Sequence, residues 1–90
     1  MSKVVRRYAL EDTWQQVLEL PRGAQLLTLQ QRRATQPPDL WALVDEAAVL
    51  EPLTLITVYA GQAEPALEQP ATRYVGTYTY SGATWHVFAL

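Results

Sequence analysis

Three turn signals cut this chain into pieces too short for much except β-strands. Pro21-Arg22-Gly23, Gln36-Pro37-Pro38-Asp39 and Ser81-Gly82 each combine proline, glycine or small polar residues in the manner of a tight reversal. The pieces between them are rich in β-branched and aromatic residues. Val4 to Leu10, Ala24 to Gln30, Leu40 to Asp45, Leu53 to Ala60, Arg73 to Tyr80 and Ala83 to Leu90 each read as a strand. Leu53 to Ala60 (LTLITVYA) is nearly continuous in apolar residues and threonine, which suits a strand covered on both faces. Gly61 to Thr72 is the longest loop-like stretch. The pattern predicts an all-β domain, a compact antiparallel barrel or sandwich of about six or seven short strands.

Two segments fit helix and strand equally on periodicity. Asp12 to Leu20 places Trp14, Val17 and Leu18 at helical spacing behind an Asp12 that resembles an N-cap. Leu40 to Leu50 puts Leu40, Leu43, Val44, Ala47 and Ala48 on one helical stripe. One helical turn is allowed for in the region after Asp45.

The chain has 90 residues, which reads as a single domain, residues 1–90. A chain of this size buries only about 60–65% of its unfolded surface, so self-association would add stability and a homo-oligomer is expected. There is no cysteine, so neither a disulfide nor a thiolate metal site supplies support. One histidine with scattered carboxylates makes no zinc or calcium pattern, and no metal or cofactor is expected. No stretch approaches the ~18 apolar residues of a membrane span. MSKVVRRYALED lacks the apolar core of a secretory signal. The expectation is a cytoplasmic protein with no membrane partner.

The formal net charge of −2 argues against general nucleic-acid binding. The charge is unevenly placed. Residues 1–33 hold Lys3, Arg6, Arg7, Arg22, Arg32 and Arg33 against Glu11, Asp12 and Glu19. Residues 34–90 hold Arg73 against Asp39, Asp45, Glu46, Glu51, Glu64 and Glu68. A basic region of this kind suits an anion, an acidic partner, or the acidic half of a second copy. The plainer reading is a solvated surface of mixed charge.

Ser81-Gly82 fits a two-residue hairpin loop, which sets a register. Tyr80 then faces Ala83, Thr79 faces Thr84, Tyr78 faces Trp85, Thr77 faces His86, Gly76 faces Val87 and Val75 faces Phe88. Alternation places Tyr74, Tyr78, Tyr80, Trp85 and Val87 on one face and Val75, Thr77, Thr79, Thr84, His86 and Phe88 on the other. His86, the only histidine, therefore reads as a half-buried imidazole bonded to Thr77 or to backbone. A general base at this position lacks partners. Ser2 and Ser81 are the only serines, one terminal and one in the turn. No phosphate-cradling glycine loop is present. Asp45-Glu46 are adjacent carboxylates, and on a strand they point apart. The aromatic hairpin face reads first as core. Exposed, it would be an interface, or with an arginine alongside it would stack a nucleotide.

The blocks VLELPRGAQLLTLQ (17–30), LWALVD (40–45), VYAGQAEP (58–65) and YVGTYTYSGATWHVF (74–88) resemble, in order, a family of small, functionally uncharacterised proteins of phages, prophages and bacteria. The resemblance implies strand for 13–20 and 40–45, and a phage or prophage context. It transfers no catalytic residue. The chain departs from the family's Y-G-T-G-H-like turn, having Tyr59-Ala60-Gly61-Gln62-Ala63. The resulting expectation is a non-enzymatic accessory binding protein, with counter-defence as one role, working in the host cytoplasm. Its partner would be a host protein or a small anionic signalling ligand such as a cyclic nucleotide. For the ligand, Arg6, Arg7, Arg22 and Arg73 are the phosphate candidates, and Tyr78 and Trp85 the stacking candidates. The alternative is a structural or virion-associated domain that self-assembles.

Overall fold

Among the described residues seven strands form, and each ambiguous segment contributes one of them. The computed structural model describes residues 2–90. The strands are β1 (Lys3–Ala9), β2 (Gln15–Pro21), β3 (Gln25–Gln30), β4 (Asp39–Asp45), β5 (Leu50–Tyr59), β6 (Arg73–Tyr80) and β7 (Ala83–Ala89). In β2 the inward residues are Gln16, Leu18 and Leu20, while Gln15, Val17 and Glu19 stay exposed. Period two wins over the helical spacing because pairing with β5 satisfies the backbone and buries Leu18 and Leu20. In β4 the residues Leu40, Ala42 and Val44 are buried, alternating with half-buried Trp41, Leu43 and Asp45. The helical stripe over 40–50 fails at Asp45. Its carboxylate accepts from the Ala47 N–H at 3.0 Å, a local bond that turns the chain toward β5. The single helical turn is a 3-10 turn at Pro65–Glu68, not the segment after Asp45. Glu64 caps it by accepting from the Ala66 N–H, and proline starts it, where no N–H is needed.

The strands make two antiparallel sheets, ordered β1-β4-β3 and β2-β5-β7-β6. They stack as an open sandwich rather than a closed barrel. The shortest molecular dimension is 16 Å, the thickness of two layers. Between them lie Leu10, Leu40, Leu55, Tyr78, Val87 and Ala89, with Leu20, Ala42 and Val44 forming a second cluster. Each fully buried leucine or valine there contributes about 1.5–3 kcal/mol.

Strands β5 and β6 run parallel with β7 between them. Residues 60–72 must therefore travel back along the sheet over one of its faces. The inner face is filled by the other sheet, which leaves the outer face. Ile56 and Val58 point to that outer side, yet they are 2% and 5% exposed. Burial on this side as well as between the sheets is why LTLITVYA reads as apolar on both faces.

Each sheet leaves two edges, and each edge is blunted. Strand β1 carries Lys3, Arg6 and Arg7, and β2 ends in Pro21. Strands β3 and β6 are bulged, at Leu27 and Val75. The second bulge corrects the hairpin register. Pairing follows the sequence reading from Tyr80–Ala83 to Gly76–Val87, and then Tyr74, not Val75, meets Phe88. Tyr74 thus joins the outer face, edge-on to Phe88 at 5.7 Å, and Val75 turns into the core. Two residues oppose one at a bulge, so alternation reverses past it.

Gly76 lies beside this bulge where β6 meets β3. A Cβ built there would sit 2.9 Å from Leu29 Cγ and 3.2 Å from Leu29 Cβ. Gly76→Ala is expected to cost about 1–3 kcal/mol by overpacking. Leu29→Ala in the same chain should restore part of it, with a coupling of about 0.5 kcal/mol or more. Urea denaturation of the two single variants and the double variant checks this.

Candidate functional site

A cleft of about 330 Å³ opens at one end of the four-stranded sheet, lined by Asp12, Thr13, Trp14, Thr57, Tyr78 and Trp85. Tyr78 and Trp85 face each other across the β6–β7 hairpin. The hairpin is set by a two-residue turn with Ser81 and Gly82 at φ of 54° and 75°, both in the left-handed region. Trp85 also packs edge-on against Tyr59 of β5, with centroids 5.2 Å apart. Trp14 comes from the β1–β2 connection. Its carbonyl accepts from the Thr57 N–H at 2.8 Å, which pins it to β5. The side chain of Gln16 holds the same connection, accepting from the Glu11 N–H and donating to the Glu11 carbonyl.

The ring atoms differ in exposure. Tyr78 is 8% exposed and forms the floor, whereas Trp14 is 64% exposed and forms the rim. Two polar groups of the lining are engaged inside the protein. The Trp85 indole N–H donates to the Tyr80 carbonyl at 3.2 Å. Tyr78 and Thr57 are both buried at the floor. The Thr13 hydroxyl donates to the Gln15 carbonyl. What the cleft offers outward is ring face and the exposed Asp12 carboxylate.

The sequence-derived candidates do not form one site. Tyr78 and Trp85 lie in this cleft. Arg22 and Arg73 line another, of about 250 Å³, with Leu20, Pro21, Glu51 and Leu53 among its walls. The two clefts sit at opposite ends of the sheet. The Arg73–Ala89 and Tyr78–Trp85 pairs are separated by roughly 13 Å of β7. Arg6 and Arg7 lie in neither cleft, both being on edge strand β1. The uneven charge along the chain is answered within it. Arg6 pairs with Glu46 and Arg22 with Glu51. Arg32 reaches the buried Asp39 at 3.1 Å and Arg7 reaches it at 4.0 Å. Among the described residues, Arg73 is in no ion pair.

His86 lies on the outer face, half-buried, opposite Thr77 as the hairpin reading has it. Its Nδ1 shares a hydrogen bond of 2.8 Å with the Thr77 hydroxyl, which in turn meets the Tyr74 hydroxyl at 2.5 Å. Among the described residues no carboxylate pairs with His86, and no three metal-ligating side chains converge. Among them, too, no helix is long and apolar enough to cross a membrane.

Comparison with known families is decisive on one point. The profile of a family described as a domain of unknown function (DUF7352) matches residues 1–90. The chain belongs to that family. The match spans every block on which the sequence resemblance rests, and its description names no ligand, reaction or source. No curated protein and no solved structure matches the chain.

Sequence reading missed Asp12, Trp14 and Thr57 as partners of Tyr78 and Trp85. Helical spacing groups Trp14 with Val17 and Leu18, whereas the β2–β5 pairing carries it to the end of the sheet. A tryptophan between an acid pair and a strand is the signal the sequence carries.

Burial raises the Tyr78 pKa above its ordinary value, and the nearby Asp12 charge adds to the effect. The folded state therefore holds the phenol proton after the unfolded chain has released it. Stability is unaffected below about pH 10 and falls as pH rises above it. Denaturant titrations from pH 8 to 11 should show a steeper alkaline loss in the wild type than in Tyr78→Phe.

Proposed function

We propose that this protein is a non-enzymatic binding protein of phage or prophage type that engages a host protein through the aromatic cleft. The observation that carries the proposal is Trp14, a large ring held mostly in solvent at the rim of a cleft floored by Tyr78 and Trp85. An exposed aromatic costs hydration unless a partner covers it, and rigid rings of this kind dominate binding energies at interfaces. The phage context rests on the resemblance of the LWALVD and WHVF blocks, and counter-defence in the host cytoplasm is part of the same proposal. The cyclic-nucleotide version has less support, because the arginines and the stacking rings lie at opposite ends of the sheet.

Trp14→Ala should leave far-UV circular dichroism unchanged, since the ring is exposed. It should deplete specific partners of the immobilised protein, recovered from bacterial lysate, by about thirtyfold, a loss of about 2 kcal/mol. Equal recovery on wild type and variant removes the cleft as the binding site.

A self-assembling domain is the second reading. It is favoured by the solvent side of the three-stranded sheet, where exposed Val5 pairs with half-buried Leu43, and Arg7 with half-buried Trp41. This reading expects light scattering to show a concentration-dependent oligomer that Val5→Glu dissolves. A monomer at the highest concentration removes it.

A further inference from the structure

We infer that the aromatic cleft accepts a cationic side chain, a lysine ammonium or an arginine guanidinium presented by a protein partner. The inference rests on the proposal that this cleft is the binding site, and it names the chemistry of the group bound there.

The lining contains one acid and no base. Asp12 is exposed, and its neighbour Glu11 adds a second carboxylate to the same connection. Trp14 and Trp85 supply π faces, and the face of tryptophan is the best aromatic surface for a cation. A sugar would ask for several free donors and acceptors. The Thr13 hydroxyl and the Trp85 indole N–H are already engaged within the chain, and Thr57 and Tyr78 are buried. A phosphate would meet Asp12 with no compensating arginine, because Arg22 and Arg73 are at the far end of the sheet. Asp12 shares the cleft with Tyr78, and its charge adds to the rise that burial gives the Tyr78 pKa.

Size points the same way. A volume of about 330 Å³ is at the small end of ligand pockets, which span about 300–1,000 Å³. That is room for one side chain or head group and not for a dinucleotide. The surroundings favour a macromolecule as its carrier. Tyr59 packs against Trp85 and is 48% exposed, so apolar surface continues beyond the cleft on that side, and Trp14 extends it at the rim. A free metabolite would leave that surface uncovered.

Indole N–H signals of Trp14, Trp41 and Trp85, resolved by nitrogen–proton NMR, read the site directly. The probes are Nα-acetyl-lysine methylamide, Nα-acetyl-arginine methylamide, tetramethylammonium chloride, Nα-acetyl-norleucine methylamide, glucose and guanosine monophosphate. The expected result is a saturable shift of Trp14 and Trp85, but not Trp41, with the cationic probes at low salt. Norleucine, glucose and the nucleotide should leave the signals in place. Asp12→Asn should weaken the cationic probes about two- to fivefold, and Trp14→Ala about fivefold. Tetramethylammonium binding more tightly than both amino-acid probes would move the source from a protein side chain to a free alkylammonium and overturn the partner assignment. Shifts caused by glucose or by the nucleotide alone would overturn the cationic class while leaving the cleft as a binding site. No shift with any probe at about 10 mM, with partner recovery from lysate still dependent on Trp14, would likewise overturn only the cationic class. No shift together with recovery independent of Trp14 would remove both.

Discussion

Leu40, Leu55 and Val87 meet between the two sheets with essentially no surface left in water. Every other feature is arranged around that contact. It requires β4 to turn Leu40, Ala42 and Val44 inward, and β5 and β7 to answer with Leu55, Val87 and Ala89. A domain this small has little apolar area to spare. At Gly76 the packing leaves no room for a side chain, since Leu29 occupies the space a Cβ would need. The bulge beside it brings Val75 into the core and sends Tyr74 to the outer face. The Tyr78–Trp85 pair stays in register beyond the bulge and forms the wall of the cleft.

Charge follows the same logic of long-range pairing. Bases concentrated in the first third of the chain meet acids between residues 39 and 51 because β1 lies on β4 and the β2–β3 turn lies beside β5. Among the described residues Asp39 is the one carboxylate taken out of water, at 3% exposure, and two arginines approach it from solvent. A buried carboxylate without such cations would be strongly unfavourable. The pairs on Glu46 and Glu51 are exposed and contribute little to stability. Their effect is to set an acid beside two of the arginines that linear charge counting groups together. The arginine cleft and the acidic aromatic cleft are left as the two ends of one sheet.

The hairpin shows how far local rules reach. Turn chemistry at Ser81-Gly82 and strict alternation placed Tyr78 opposite Trp85 and Thr77 opposite His86, and both pairs are present. The same rules fail further along, at Tyr74 and Val75, because the bulge puts two residues of β6 opposite one of β7 and reverses the alternation. Trp14 was misplaced for a related reason. Its helical spacing with Val17 and Leu18 is a local coincidence, and its true position comes from the backbone bond between its carbonyl and Thr57.

By itself the sequence determined the all-β class, the position of most strands to within a residue or two, the reversal at Ser81-Gly82 and the placement of Thr77 opposite His86. Those features depend on turn residues and on period-two alternation, which act over a few positions. The tertiary structure alone decided the two-sheet order, the reversal of Tyr74 and Val75, the pairing of arginines with distant acids, and the meeting of Asp12, Trp14 and Thr57 with Tyr78 and Trp85. Each of these depends on which strands far apart in the chain become neighbours, and that choice is made by packing two apolar sheet faces against each other, a constraint that no short window of sequence contains.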